Sequence, residues 1–179
     1  MKLKKNTLLL ILCAVILGGG VFILEARNQQ QVALITQQRQ IFDFNQEDIK
    51  KITIQYSDTT LEIVPIDRNW RAIEPEETIV NDGVMAFLLD LILEGKSDLS
   101  LTIPSVKLAE YALESPLGII NIELKNGEFQ QILLGKETID SNLIYALVNP
   151  QTNQSNTEIL LVSKNWLYAI ARDFAEWKN

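Results

Sequence analysis

The chain has 179 residues and no histidine, and its single cysteine, Cys13, lies in an apolar N-terminal run. These absences exclude a Ser-His-Asp or Cys-His nucleophile, a histidine or thiolate metal site and an intramolecular disulfide. There is also no glycine-rich phosphate loop, because Gly18, Gly19 and Gly20 fall in the same apolar run. The chemistry that remains is that of carboxylates, as an acid and base pair or as oxygen ligands of calcium.

The densest group of carboxylates consists of Glu74, Glu76 and Glu77 around Pro75, with Asp82 nearby. It lacks the alternating ligand spacing and the glycine turn of a calcium loop. We therefore predict a solvated acidic loop, with no metal and no cofactor.

Basic residues are scarce after position 40. Residues 41–179 carry 22 acidic and 11 basic side chains, a formal charge of −11. This balance argues against nucleic acid or an anionic lipid surface as a partner, because both repel such a domain. Plain solubility is the simpler explanation of this charge, and a cationic partner is the alternative.

What the chain does have is a basic start followed by a long uncharged stretch. Lys2, Lys4 and Lys5 precede the run 7–24, which contains no charged residue. A helix over 7–26 is about 30 Å long, the thickness of a bilayer's hydrocarbon core.

The pattern predicts a cytoplasmic start at 1–6 and a retained transmembrane anchor at 7–26, with the rest of the chain on the far side. The predicted anchor residues are Leu8, Leu12, Ile16, Val21 and Leu24. The corresponding localisation is the plasma (inner) membrane with a periplasmic domain. A cleaved signal peptide is the alternative, although its apolar core usually spans only about 7–15 residues.

Residues 27–40 contain six glutamines between positions 29 and 40 and predict a juxtamembrane spacer. No glycine or proline interrupts this stretch, so it is able to continue the preceding helix. Gln37 and Gln38 are candidate partner contacts, and a solvated stalk is the alternative.

The domain 41–179 begins with strand patterns and then a helix. Ile52, Ile54 and Tyr56 alternate with polar residues, which is typical of a half-buried strand, and shorter patterns follow at 61–63 and 70–73. Next comes an amphipathic helix over 82–94, with Asn81 as its cap and Gly95 as its stop.

The second part of the domain repeats this order. Strands are predicted at 120–124 and 130–134 around an Asn126-Gly127 hairpin turn, and at 143–148 and 158–162. A closing helix over 165–178 places Trp166, Ile170, Phe174 and Trp177 on one face.

The predicted fold class is α+β: an N-terminal single transmembrane helix, then one domain of antiparallel strand meanders with two amphipathic helices. A two-fold pseudo-repeat and ordinary α+β construction explain the similarity of the halves equally well.

Short motifs occur along the domain: Ile41-Phe42-Asp43-Phe44, Glu47-Asp48-Ile49, Trp70 before Pro75, Phe87-Leu88-Leu89, Leu108-Ala109-Glu110-Tyr111 followed by Leu113 and Pro116, and Leu133-Leu134-Gly135. These motifs and the order of elements resemble the family known as domain of unknown function 4340. At the position of Ala112 the family usually has glycine. The resemblance implies a bacterial, singly anchored extracytoplasmic protein that accompanies envelope ABC-type transport or gliding systems. It also implies thylakoid membrane as a second address if the source is cyanobacterial.

From these observations we predict a non-catalytic, membrane-anchored accessory or assembly subunit. Its partner is predicted to be an integral membrane protein, bound by the acidic domain with Trp166 and Trp177 as further candidate contacts. The alternative is a carboxylate-dependent hydrolase or ligand-binding protein of the cell envelope, for which Glu74, Glu77 and Asp82 are the first candidates.

Overall fold

The computed structural model of the chain describes residues 39–67, 69–97, 99–139 and 142–179. The predicted anchor, with Leu8, Leu12, Ile16, Val21 and Leu24, lies outside the described residues, and so do Gln37 and Gln38. Within the described ranges, no helix is long and apolar enough to cross a membrane. The predicted single-pass anchor and the inner-membrane or thylakoid localisation thus have no support from the structure, and we do not carry them further.

Eleven strands form two antiparallel sheets in the described part of the chain. The strands are β1 (Arg39–Gln40), β2 (Ile49–Tyr56), β3 (Thr59–Ile66), β4 (Asn69–Glu74), β5 (Thr78–Ile79), β6 (Lys96–Ser97), β7 (Leu99–Pro104), β8 (Gly118–Leu124), β9 (Phe129–Glu137), β10 (Leu143–Val148) and β11 (Asn156–Ser163). β1 pairs with β6, and the other nine strands form one sheet in the order β5-β4-β3-β2-β8-β9-β10-β11-β7.

The large sheet consists of two meanders that meet at its centre. β2 and β8 are antiparallel neighbours, with Ile52 opposite Ile122. From this pair, β3, β4 and β5 extend to one side, and β9, β10 and β11 extend to the other, where β7 is added at the edge. We call the strands β2 to β5 the first half, and β8 to β11 with β7 the second half.

Helix α1 (Asp82–Glu94) begins and ends at the predicted residues. The Asn81 side chain accepts hydrogen bonds from the backbone N–H groups of Gly83 and Val84, so it satisfies two donors that have no partner inside the helix. The side chains that α1 buries against the sheet are Met85, Leu88, Leu89, Leu91 and Ile92.

The predicted closing helix over 165–178 is wrong as a single helix, because the chain forms α2 (Asn165–Ile170) and α3 (Phe174–Trp177) instead. Asp173 has an extended backbone and forms a capping box with Glu176. An Asp followed three residues later by Glu starts a helix, so the sequence at 173–176 begins a new one.

The core lies mainly on one side of the sheet, where α1, α2 and α3 pack against both halves. We call this the helix side. Its most buried side chains include Ile63, Ile120, Ile132 and Trp166. A second, smaller cluster lies on the opposite side, where residues 105–117 cross the second half; this cover segment starts with a 3-10 helix, Ser105–Tyr111.

These observations correct the predicted fold class. The described part of the chain is mostly antiparallel sheet with short helices, so it is not a transmembrane helix followed by an α+β domain. The local patterns predicted most of the strands. They overestimated the length of the closing helix, which is two short helices in the structure.

Candidate functional site

One face of the first half is not covered by any described element. The alternate residues of β2 that point to the helix side, Ile52 and Ile54, are buried. Their neighbours Lys51, Thr53 and Gln55 point the other way and are half-buried or exposed. We call the surface formed by the outward residues of β2, β3, β4, β5 and β8 the open face.

The strand register aligns polar side chains across the middle of this face. Glu62 lies opposite Thr53, Thr53 opposite Asn121, and Asn121 opposite Gln131. Gln131 Nε2 donates a hydrogen bond to Asn121 Oδ1 at 2.6 Å. The row therefore offers hydroxyl, amide and carboxylate groups side by side on a flat surface.

Apolar side chains collect towards the β5 end of the open face. Val64 lies opposite Arg71, and Arg71 lies opposite Ile79. Ile66 lies two residues after Val64, and Ile73 lies two residues after Arg71, so both side chains point to the open face. The three isoleucines are 39–40% exposed. We call Val64, Ile66, Ile73 and Ile79, which lie around Arg71 on this face, the isoleucine patch; exposed apolar side chains grouped in this way are candidates for an interaction site.

Charged groups lie beside the patch on the described strands. Arg71 pairs with Glu77 at 3.0 Å, and Lys51 pairs with Glu62 at 3.0 Å. Asp67 and Glu74 are exposed and directly follow Ile66 and Ile73 in the sequence. The described residues thus place two exposed carboxylates beside the isoleucines.

A groove of about 470 Å³ lies between the β2–β3 turn and the α2–α3 junction. Its rim carries Tyr56, Arg172, Asp173 and Glu176, and Arg172 pairs with Glu176 at 3.6 Å. A second groove of about 450 Å³ is lined by Asp43, Asp48, Glu94 and Glu128 together with amide side chains. Across the described ranges, no group of three or more acidic, histidine or cysteine residues is placed to hold a metal ion.

The carboxylates proposed for the hydrolase alternative do not converge in a pocket. Glu74, Glu77 and Asp82 are all exposed, and Glu77 is held by Arg71. Ser97 is the one buried polar residue in the part of the chain that the structure describes. The structure thus offers that alternative no pair of buried carboxylates, and we do not develop it.

The two tryptophans proposed as partner contacts belong to the core. Trp166 and Trp177 are 1% and 2% exposed, and the Trp166 indole meets the ring of Phe42 edge-on at 6.3 Å. Both side chains fix the helices on the sheet and leave no indole surface to a partner.

Sequence reasoning missed the isoleucine patch. Ile79 belongs to a strand of only two residues, which is too short to show an alternating pattern. Ile73 lies where the register of β3 and β4 shifts, between the Glu62–Glu74 and Ile63–Ala72 pairs. The available signal was the position of two isoleucines on either side of the acidic loop 74–77, which we interpreted as a solvated loop only.

No family model, curated protein or solved structure matches this chain. The resemblance to domain of unknown function 4340 therefore stays a prediction. The functional argument depends on the geometry of the chain itself.

Proposed function

We propose that the protein is a non-catalytic accessory or assembly subunit that binds a partner protein through its open face. The observation that supports this proposal is the isoleucine patch on a face that no described element covers, whereas the cover segment packs on the same side of the second half. Antiparallel sheets often leave one face to water, but that face is then normally polar. Here four aliphatic side chains lie around Arg71 towards the β5 end of the face, beside the polar row, and such a mixture of apolar and polar groups is common in binding surfaces.

The chemistry of the face also defines the partner. The isoleucines and Val64 need an apolar counterpart, and Thr53, Asn121 and Gln131 supply hydrogen bonds beside them. The exposed carboxylates beside the patch favour lysine and arginine in the opposite surface, because complementary charge speeds encounter and suppresses wrong partners. We therefore expect a protein partner with a small apolar centre and a basic rim.

The test uses the tagged full-length chain in its native cells, with in-cell crosslinking, affinity purification and mass spectrometry. The variant is Ile73→Ser with Ile79→Ser, which removes apolar surface from the patch while changing no charge. The matched control is Val106→Ser, because Val106 is 90% exposed but lies in the cover segment.

We expect the wild-type chain and the control to crosslink to the same basic partner in stoichiometric amounts. The double variant should lose this crosslink about tenfold or more, as expected for removal of apolar anchors at the centre of an interface. If the double variant retains the crosslink, the open face is not the binding surface. If the wild-type chain is recovered alone, the proposed function is wrong.

A further inference from the structure

The two edges of the nine-stranded sheet differ in how they are protected. At one edge, β5 has two residues, and the C-terminal residues bond to the chain beside it: Val80 forms a bridge with Lys178, and the Asn179 N–H donates to the Ile79 carbonyl at 3.2 Å. At the other edge, β7 has six residues and pairs only with β11 among the described strands.

The outer edge of β7 therefore exposes backbone groups that are able to pair with another strand. In an antiparallel pair, alternate residues direct their N–H and C=O groups away from the neighbour. Proteins usually guard such an edge with charged residues, proline or a very short strand. β7 has no charged residue and contains proline only at its last position, Pro104.

The side chains of β7 have a different chemistry on each face. Leu101 and Ile103 belong to the smaller core cluster under the cover segment, and Leu99 shares their face by alternation. Ser100 and Thr102 point to the helix side, where Ser100 is half-buried and Thr102 is exposed. The strand is thus aliphatic on one face and hydroxylic on the other.

This pattern is self-complementary when two copies run antiparallel. With Leu101 opposite Leu101 of a second copy, Leu99 meets Ile103 and Ser100 meets Thr102. Aliphatic pairs and Ser–Thr pairs are both favourable cross-strand neighbours. A two-fold axis through Leu101 therefore pairs aliphatic side chains on one face and hydroxyl side chains on the other. The same surface of each copy forms the contact, as an isologous interface requires.

Charge does not oppose this arrangement locally. Among the described residues beside β7, Arg39 pairs with Glu158 at 3.2 Å and Lys107 with Glu110 at 4.0 Å. At physiological ionic strength, exposed charges more than about 8 Å apart are largely screened. The net charge of the domain is therefore a weak obstacle at this edge.

We propose that a second copy of this chain pairs with β7 through its own β7, giving a two-fold dimer with one continuous sheet. The inference goes beyond the proposed function and leaves the open face free for its partner. Edge pairing of a six-residue strand buries less than the standard interface of about 1,600 Å². The dimer is accordingly weak and depends on concentration.

Sedimentation equilibrium of the full-length chain tests this inference. The first variant is Ser100→Lys with Thr102→Lys, and the second is Ser100→Glu with Thr102→Glu. In the proposed register each variant places two pairs of like charges opposite one another, whereas a mixture of the two places lysine opposite glutamate. Far-UV circular dichroism checks that both variants keep the fold.

We expect the wild-type chain to dimerise with rising concentration, each variant alone to associate at least tenfold more weakly, and their equimolar mixture to recover association. A wild-type chain that stays monomeric up to about 0.5 mM, a concentration at which a dimer with a Kd of about 1 mM is partly formed, overturns the inference. So does association that neither variant weakens, or a mixture that associates no better than its components.

The same samples separate this inference from the proposed function. The Ile73→Ser, Ile79→Ser variant should dimerise like the wild type, and the β7 variants should still crosslink to the partner protein. A variant that loses dimerisation but keeps the partner crosslink is altered in β7 pairing alone. A variant that keeps dimerisation but loses the crosslink is altered in partner binding by the open face alone.

Discussion

In the first half of the sheet, β2 to β5 bury their helix side only, whereas in the second half the cover segment 105–117 also buries part of the opposite side, around Leu147 and Ile159. The strands of both halves alternate in the same way. Ile119 on β8 lies opposite Leu133 on β9, and Leu133 lies opposite Leu147 on β10; all three point away from the helix side, and Leu147 is buried beneath the cover segment. Whether an outward side chain is core or surface is thus decided by a connecting segment far away in the sequence. The face left open by that segment is the one we assign to binding.

The largest effect expected from this comparison is that of an isoleucine under the cover segment. Ile159→Ala on β11 removes a side chain that is 0% exposed and should lower the free energy of unfolding by about 2–5 kcal/mol. Its matched control is Ile73→Ala on the open face, where the change should stay within about 0.5 kcal/mol. Urea denaturation of both variants measures the difference, and equal losses would show that the two halves are covered alike.

The next largest effect is expected where the cover segment packs against β9. Gly135 lies against the Tyr111 carbonyl, and a Cβ at this position would overlap that backbone atom and touch Leu113. Gly135→Ala should therefore displace the segment and cost about 1–3 kcal/mol.

The control for this variant is Gly83→Ala in the first turn of α1, where the nearest atom to an added Cβ is 3.4 Å away. Here alanine should leave stability unchanged or raise it by up to about 1 kcal/mol. Thermal unfolding followed by circular dichroism compares the two variants. A Gly135→Ala protein as stable as the wild type would mean that the cover segment does not pack closely against β9 at this position.

A smaller effect is expected for the polar groups of the open face. Glu62→Gln removes the ion pair with Lys51, in which Lys51 Nζ lies 3.0 Å from Glu62 Oε1. The Lys51 and Glu62 side chains are 32% and 26% exposed. The loss should be below about 1 kcal/mol and should shrink in high salt, because exposed ion pairs are weak and screened. Urea midpoints at low and high salt check this, and a larger loss that salt does not alter would contradict a solvated face.

The smallest effect is a change of stability at high pH in the second half. The Glu137 carboxylate, followed by Tyr168, raises the pKa of Lys164 above its ordinary value of 10.5. Because the folded state binds this proton more tightly than the unfolded state, the contribution is complete below pH 10.5 and is lost as the pH rises through the folded-state pKa.

Lys164→Met removes that contribution. The variant should be less stable than the wild type at about pH 8, and the difference should narrow towards about pH 12, where lysine loses its charge. Urea midpoints at the two pH values provide the measurement. A difference that stays constant would show that the charge of Lys164 does not contribute.

The elements that the sequence predicted correctly are those with local signals. α1 followed from the Asn81 cap and the apolar spacing, and the β8–β9 hairpin followed from Asn126-Gly127, where Gly127 has a φ of 89° that suits glycine. The break at Asp173 was also encoded locally, but the apolar spacing of Trp166, Ile170 and Trp177 across it favoured one continuous helix.

The order of the strands and the position of the cover segment depend on contacts between distant residues. Tyr111 packs edge-on against Tyr145 at 4.8 Å, and nothing in the local pattern of either residue indicates that contact. The two isoleucines beside the acidic loop 74–77 were a local signal, but their exposure could not be predicted, because it depends on where the cover segment ends. The candidate site was thus accessible only from the assembled sheet.

The most direct test of the account places a photo-crosslinking amino acid at Ile79 of the full-length chain in its native cells. The same probe at Val106, on the cover segment, serves as the control. We predict one discrete, heavier adduct with a basic protein from position 79 and no such adduct from position 106. Adducts that are the same from both positions, or absent from position 79, would contradict the assignment of the open face as the binding surface.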